Sequence, residues 1–389
     1  MKGSTLLRTG SLPAVVSLIG GLLLFLQACK PPPPRPWQLP VARSFKLYPI
    51  RTQNLIVLPV SENGRDCLAG VELDNGSVSW RYCDSLLRRA YYNLSPGVKT
   101  PFLLLPIEEH LLCLDTRTGR IRWQDRRPFP GQSHLSIQDG HCLRTYFDSA
   151  TRTHHVYAFD LETGQPRLLK SLTLDPQRTT LVRTPIQFYD SLHSKHWMVA
   201  SVIEYEPGKS TDSYLLFWDK EQPDREFRLP VLPDNPFGNG VTQQPIVRGR
   251  RSYWVADRQL LCVDLFERKV VWRRELPHGM LTSRLLYAFE RLYFPCENER
   301  LYALDPTDGA ILWEAPSAGT PSRILTDGRR LYLIGGSDRR LHVYDPRTGN
   351  PLPPPPLPRT DRGWERVFGV WEGGVLLSDG VSWQHVPFQ

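Results

Sequence analysis

The 389-residue chain lacks the common signatures of a catalyst. It has no Gly-x-Ser-x-Gly elbow to expose a nucleophile, no phosphate-cradling P-loop, no His-Glu-x-x-His zinc helix and no EF-hand loop. Its ten histidines are scattered, and the one adjacent pair, His154-His155, would point to opposite faces of a strand. Helical periodicity is missing throughout, which excludes bundles and α/β folds. No apolar run reaches the roughly 20 residues of a membrane-spanning helix. Charge of one sign is not clustered into a groove: the net +8 comes from Lys and Arg interspersed with Asp and Glu, which marks a solvated surface rather than a nucleic-acid site. A modest basic surplus would suit acidic headgroups or an acidic partner.

What is present begins at the N-terminus. Lys2 and Arg8 precede an apolar stretch at 13–26, the layout of an export signal. The segment ends in Leu26-Gln27-Ala28-Cys29, which resembles the lipobox of bacterial lipoproteins. That resemblance implies cleavage after residue 28 and lipid on the thiol and new amino group of Cys29, where several acyl chains together give a stable anchor. An ordinary cleaved signal or an uncleaved anchor is the plainer alternative. Lys30, rather than an acidic residue, follows the cysteine, pointing to the periplasmic side of a Gram-negative outer membrane. Residues 29–40 are then expected as a proline-rich tether, covering about 30 Å over ten residues if extended. Removing residues 1–28 leaves 361 residues and a net charge of +6, compatible with one large closed β fold over 41–389.

The chain repeats itself. LYALDPTDGAILWE at 301–314 aligns with LLCLDTRTGRIRW at 111–123, VYAFDLETGQPRLL at 156–169, LLCVDLFERKVVW at 260–272 and LHVYDPRTGNPLP at 341–353. Weaker copies lie at 68–80 and 214–227. Their shared acidic position falls at Glu72, Asp115, Asp160, Asp219, Asp264, Asp305 and Asp345, spaced by 43, 45, 59, 45, 41 and 40 residues. Each copy reads as two strands around an Asp-x-x-Thr-Gly turn: the carboxylate accepts turn N–H groups and the Gly takes the left-handed conformation of a bulged type I turn. In the better copies a Trp eight residues past the acid offers a flat surface for the next unit. Two more strand-like runs precede each copy, giving four strands per period and an all-β propeller. The mean spacing of 45.5 residues predicts eight blades, with seven as the alternative. Runs at 366–371, 375–378 and 381–386 form an incomplete eighth blade, whose missing strand is expected near 44–48.

Besides Cys29 there are six cysteines, an even number for an oxidising compartment. Cys67 and Cys83 are equidistant from Asn75, opposite one another on paired strands. Cys113 and Cys262 hold equivalent repeat positions, and Cys142 and Cys296 follow in the next unit. The expected pairings are 67 with 83, 113 with 142 and 262 with 296; the alternative is that some remain buried thiols.

The repeat is similar to that of quinoproteins, the alcohol dehydrogenases that bind pyrroloquinoline quinone. Those enzymes, however, carry a disulfide between adjacent cysteines and a calcium site beside a catalytic Asp. No Cys-Cys dipeptide or matching ligand stretch occurs here, and 234–240 (DNPFGNG), lacking alternating carboxylates, reads as a turn between blades. Lipobox, tether and a single propeller together resemble instead the BamB-like lipoproteins of the outer-membrane β-barrel assembly machinery. That resemblance implies a scaffold without enzymatic activity or cofactor, which binds the barrel-insertion protein and unfolded outer-membrane clients. A different envelope scaffold or adhesion role is the alternative, and a quinone-dependent dehydrogenase the less favoured one. The stretched fourth unit contains Tyr189, Asp190, Leu192 and His193, expected as a partner-contacting loop.

Overall fold

The computed structural model describes residues 35–42, 49–52, 55–85, 87, 101–107, 110–126, 135–173, 175, 178–205, 211–235, 241, 244–256, 258–276, 285–319, 323–371 and 373–388. The signal region, Cys29, residues 30–34, the segment 44–48 and residues 236–240 lie outside them.

The fold is an eight-bladed β-propeller. Each blade is an antiparallel meander, as in the sixth: Leu286–Ala288 pairs with Arg291–Cys296, then Arg300–Leu304, then Ile311–Pro316. The second blade has three strands among the described residues, Phe102–Ile107, His110–Asp115 and Ile121–Asp125. In the fourth, Thr179–Val182 and Ile186–Asp190 both pair with Lys195–Tyr205, so its inner strand is broken in two. A meander places its first and third turns on one face of the ring, here termed the turn face, and its second turn and the link to the next blade on the other.

Strands in the middle of a blade are buried on both sides, which is why LLCLD and LLCVD read as continuous apolar runs rather than alternating ones. Successive side chains go to opposite neighbours. Val57 packs towards the second blade, whereas Ile56 and Leu58 pack towards the eighth. The core is accordingly eight separate apolar layers, one at each junction between blades.

The repeated turn and tryptophan lock these layers. Asp115 Oδ1 accepts the N–H groups of Arg117 and Thr118 at 2.9 and 3.0 Å, and Asp160, Asp219, Asp264 and Asp345 cap their turns through two N–H groups each. Asp305 takes one, from Thr307, at 2.7 Å. In the first blade Glu72 does not cap; Asn75 Oδ1 accepts from Ser77 instead. Hydrogen bonds from the N–H groups of Thr163 and Thr348 hold the exposed Asp160 and Asp345 carboxyls below their ordinary range. Trp80, Trp123, Trp272 and Trp313 each lie on the turn of the following blade and donate Nε1–H to the carbonyl one residue past its acidic position, at 2.8, 2.9, 3.2 and 3.2 Å.

Ring closure corrects the sequence reading. The outer strand of the eighth blade is Trp37–Pro40, paired with Ser382–Pro387, where the sequence reading looked a few residues further along. These four residues belong to the propeller rather than to the tether. Trp37 takes the same position as the repeat tryptophans, donating to the Leu73 carbonyl at 3.0 Å. Pro40 is tolerated because an outermost strand needs no ladder donor on its solvent side.

One disulfide, Cys67–Cys83, joins neighbouring strands of the first blade, as the spacing about Asn75 predicts. Cys113, Cys142, Cys262 and Cys296 are buried thiols, so the two bridges expected between blades are not formed. The expected partners do share layers: Cys113 and Cys142 one, Cys262 and Cys296 another, each serving as a small apolar side chain. Burial pushes Cys113 and Cys142 up to about 12 and Cys262 to about 11.

Candidate functional site

The stretched fourth unit differs from its sequence reading. Its extra length is taken up by strands, Lys195–Tyr205 of 11 residues, Thr211–Asp219 of 9 and Glu226–Asn235 of 10, rather than by a contact loop at 189–194. Tyr189 and Asp190 end an inner strand, and residues 191–194 form a tight hairpin turn on the turn face.

Within that hairpin the four residues separate into two kinds. Asp190 is fully buried and structural: its Oδ1 accepts from Leu192 N at 3.0 Å and His193 N at 3.3 Å, while Oδ2 meets His193 Nδ1 at 2.7 Å. Tyr189 and Leu192 project outward, 51% and 66% exposed. Asp190 thus repeats, on the first turn of a blade, the carboxylate cap that the repeat uses on its third.

A cation from the next blade completes the support. Arg268 Nη2 lies 3.8 Å from Asp190 Oδ2, and its guanidinium sits 3.8 Å from the centre of the Trp197 ring. Burial lowers the Arg268 pKa, opposed by the Asp190 charge. Arg268 stands where better repeats have their turn glycine, in the left-handed conformation at φ 52°. Sequence reasoning missed Arg268 and Trp197; the one signal was LLCVDLFERK, in which Arg268 replaces the expected Gly. On the other side Gln187 Nε2 donates to Asp139 Oδ2 of the third blade at 2.6 Å, and the Tyr189 ring lies 5.0 Å from that of His196. The result is a rigid mount, tied to both neighbouring blades, that displays an aromatic and an aliphatic side chain to solvent. Such a mount suits protein recognition, because exposed apolar anchors on a fixed backbone lose little entropy on binding.

Residues 216–368, from the fourth blade into the eighth, match the family model described as outer membrane protein assembly factor BamB. Among solved structures, BamB from Moraxella catarrhalis superposes with a TM-score of 0.58 at 13% identity, covering 90% of this chain and 98% of that one. The chain thus shares the propeller fold of BamB, and its segment 216–368 is similar to that family. Two quinohemoprotein alcohol dehydrogenases share this fold. The enzyme from Comamonas testosteroni aligns at TM-score 0.57 and 11% identity over 82% of this chain and 68% of its own. The one from Pseudomonas putida aligns at 0.59 and 11% over 88% and 70%. No curated protein matches the chain.

Among the described residues no three His, Cys, Asp or Glu side chains stand where they could share a metal ion. The disulfide joins residues 16 apart between neighbouring strands, not adjacent cysteines.

Proposed function

We propose that the chain is a lipid-anchored, non-enzymatic scaffold of the Gram-negative envelope, a BamB-like factor in outer-membrane β-barrel assembly. The match of residues 216–368 to the BamB family model carries this reading. Cys29 bears the lipid, the propeller faces the periplasm, and the partners are the barrel-insertion protein and its unfolded clients. Docking uses Tyr189 and Leu192, displayed by the buried Asp190–Arg268 contact. Affinity recovery of the native lipoprotein from its own envelope tests the assignment. Co-recovery of the barrel-insertion protein is the expected result. Its consistent absence, with other envelope proteins recovered instead, would assign the propeller to a different scaffold role.

A further inference from the structure

The seventh blade departs from its neighbours in charge. Residues 323–366 contain nine Arg, no Lys and five carboxylates, so this one stretch holds +4 of the chain's net +8. Its outer strand is only Pro351–Leu352, because the prolines that follow have no N–H to extend the ladder. Those prolines, 353–356, instead form one wall of an open cleft of about 580 Å³ between the seventh and eighth blades. The opposite wall is the turn carrying Asp327, Arg329 and Arg330, and the floor is Tyr332 with Phe388, their rings 5.9 Å apart.

Among the described residues, the only carboxylate lining this cleft is already engaged. Asp327 Oδ1 accepts from Arg329 N at 2.7 Å and Arg330 N at 2.8 Å, and Oδ2 accepts from the Tyr332 hydroxyl at 2.8 Å. Its role is to fix the turn that holds Arg329 and Arg330, both exposed, at the mouth of the cleft. Two guanidinium groups beside an aromatic and proline surface form a receptor for phosphate oxygens on an amphiphilic ligand.

Where the tether leaves the body identifies the ligand's source. Arg35 N donates to Asp74 O at 2.9 Å, His385 Nδ1 lies 3.4 Å from Arg35 O, and the Trp37 ring stacks on His385 at 5.5 Å. The chain therefore departs on the turn face at the junction of the eighth and first blades. Phe388 is three residues beyond His385 on the same strand end, so the cleft opens beside this exit. The six Cα-to-Cα steps from Cys29 to Arg35 can span at most about 21 Å. An acylated Cys29 would hold this rim close to the bilayer.

We propose that the cleft between the seventh and eighth blades binds the phosphate of an anionic phospholipid headgroup and presses this part of the turn face against the membrane. The proposal rests on the reading of Cys29 as the anchor for its geometry, but the site itself can be tested without the acyl chains.

The test uses the whole mature chain secreted with Cys29→Ala, which contains every described residue, and measures co-sedimentation with vesicles. Phosphatidylglycerol in phosphatidylethanolamine is compared with neutral phosphatidylcholine. Binding to the anionic vesicles alone is expected, falling on the order of tenfold or more in Arg329→Gln/Arg330→Gln. A control removing the same charge from exposed positions of the second and third blades, Arg126→Gln/Arg167→Gln, should keep most of the binding. Equal loss in both variants, no preference for anionic vesicles, or binding of inorganic phosphate or of an acidic peptide with none to the anionic vesicles would each overturn the proposal. The mass of Cys29 in the native protein reports the anchor separately, so the two readings fail independently.

Discussion

Trp37 and Gly76 lie 39 residues apart and close the ring between them: a Cβ built on Gly76 would come within 2.6 Å of Trp37. The backbone there has φ 75°, so glycine is required by both conformation and space. The contact repeats what Trp123 makes with Gly164 and Trp313 with Gly349, but the indole here comes from the opposite end of the chain from its own blade.

Because this contact seals the last junction, Trp37→Ala should lower unfolding free energy by about 3–5 kcal/mol, the usual cost of deleting a buried Trp. Gly76→Ala should destabilise in the same direction. Urea denaturation of both variants measures this, and a Trp37→Ala loss below about 0.5 kcal/mol would mean that the closing strand is not part of the cooperative fold.

The four thiols give a chemical test. Cys113, Cys142, Cys262 and Cys296 are buried out of reach of a solvent-borne reagent, and burial raises the pKa of the first three, which keeps little of their thiolate available at neutral pH. An aromatic disulfide reagent should leave them untouched in the native protein and label all four in denaturant without prior reduction. Reducing Cys67–Cys83, which closes a loop of 16 residues, should cost about 3 kcal/mol.

Acid should loosen the closure before it unfolds the turns. Burial depresses His385 below its ordinary 6.5, against the Arg35 carbonyl and the Asp74 charge, and burial likewise depresses His154. The unfolded chain then takes up protons near pH 6.5 that the folded one refuses, so stability falls as pH drops through 6.5. The depressed Asp160 and Asp345 act lower: their contribution is complete above the ordinary 3.8 and is lost as pH falls below it. Thermal denaturation from pH 7.5 to 5.5 should show a decline that is shallower in His385→Gln. An unchanged slope in that variant would assign the decline to other groups.

The hairpin of the fourth blade separates support from display. Asp190→Ala removes the cap and leaves Arg268 near Trp197 without its carboxylate, a change that should cost about 1–3 kcal/mol. Leu192→Ala touches only an exposed side chain and should stay within about 0.5 kcal/mol of wild type. Hydrogen exchange over 186–199 should accelerate in the first variant and not in the second.

The repeat made much of this fold readable, because its Asp cap, turn and Trp serve purely local geometry that must recur at each blade. Glu72 marked a unit although it does not cap, since its strands kept the apolar pattern. What could not be read depended on distant pairing. Trp37 looked like the end of a proline-rich tether, since nothing near it in sequence reveals that its partner strand is 382–387. Cys113 and Cys142 were placed in adjacent blades correctly, yet spacing cannot distinguish a bridge from two thiols packed in one apolar layer. Tyr189 and Leu192 were identified as exposed, but Asp190 was grouped with them because its burial depends on Arg268, which comes from another blade.

The proposed function requires that protein docks on the turn face of the propeller. A photo-crosslinking residue placed at Leu192 in the native protein, irradiated in its cells of origin, tests that most directly. A discrete crosslinked product with the barrel-insertion protein is expected, absent from a control placed at Arg167 on an outer strand. No product at Leu192, together with stoichiometric binding of pyrroloquinoline quinone and calcium by the purified chain, would contradict it.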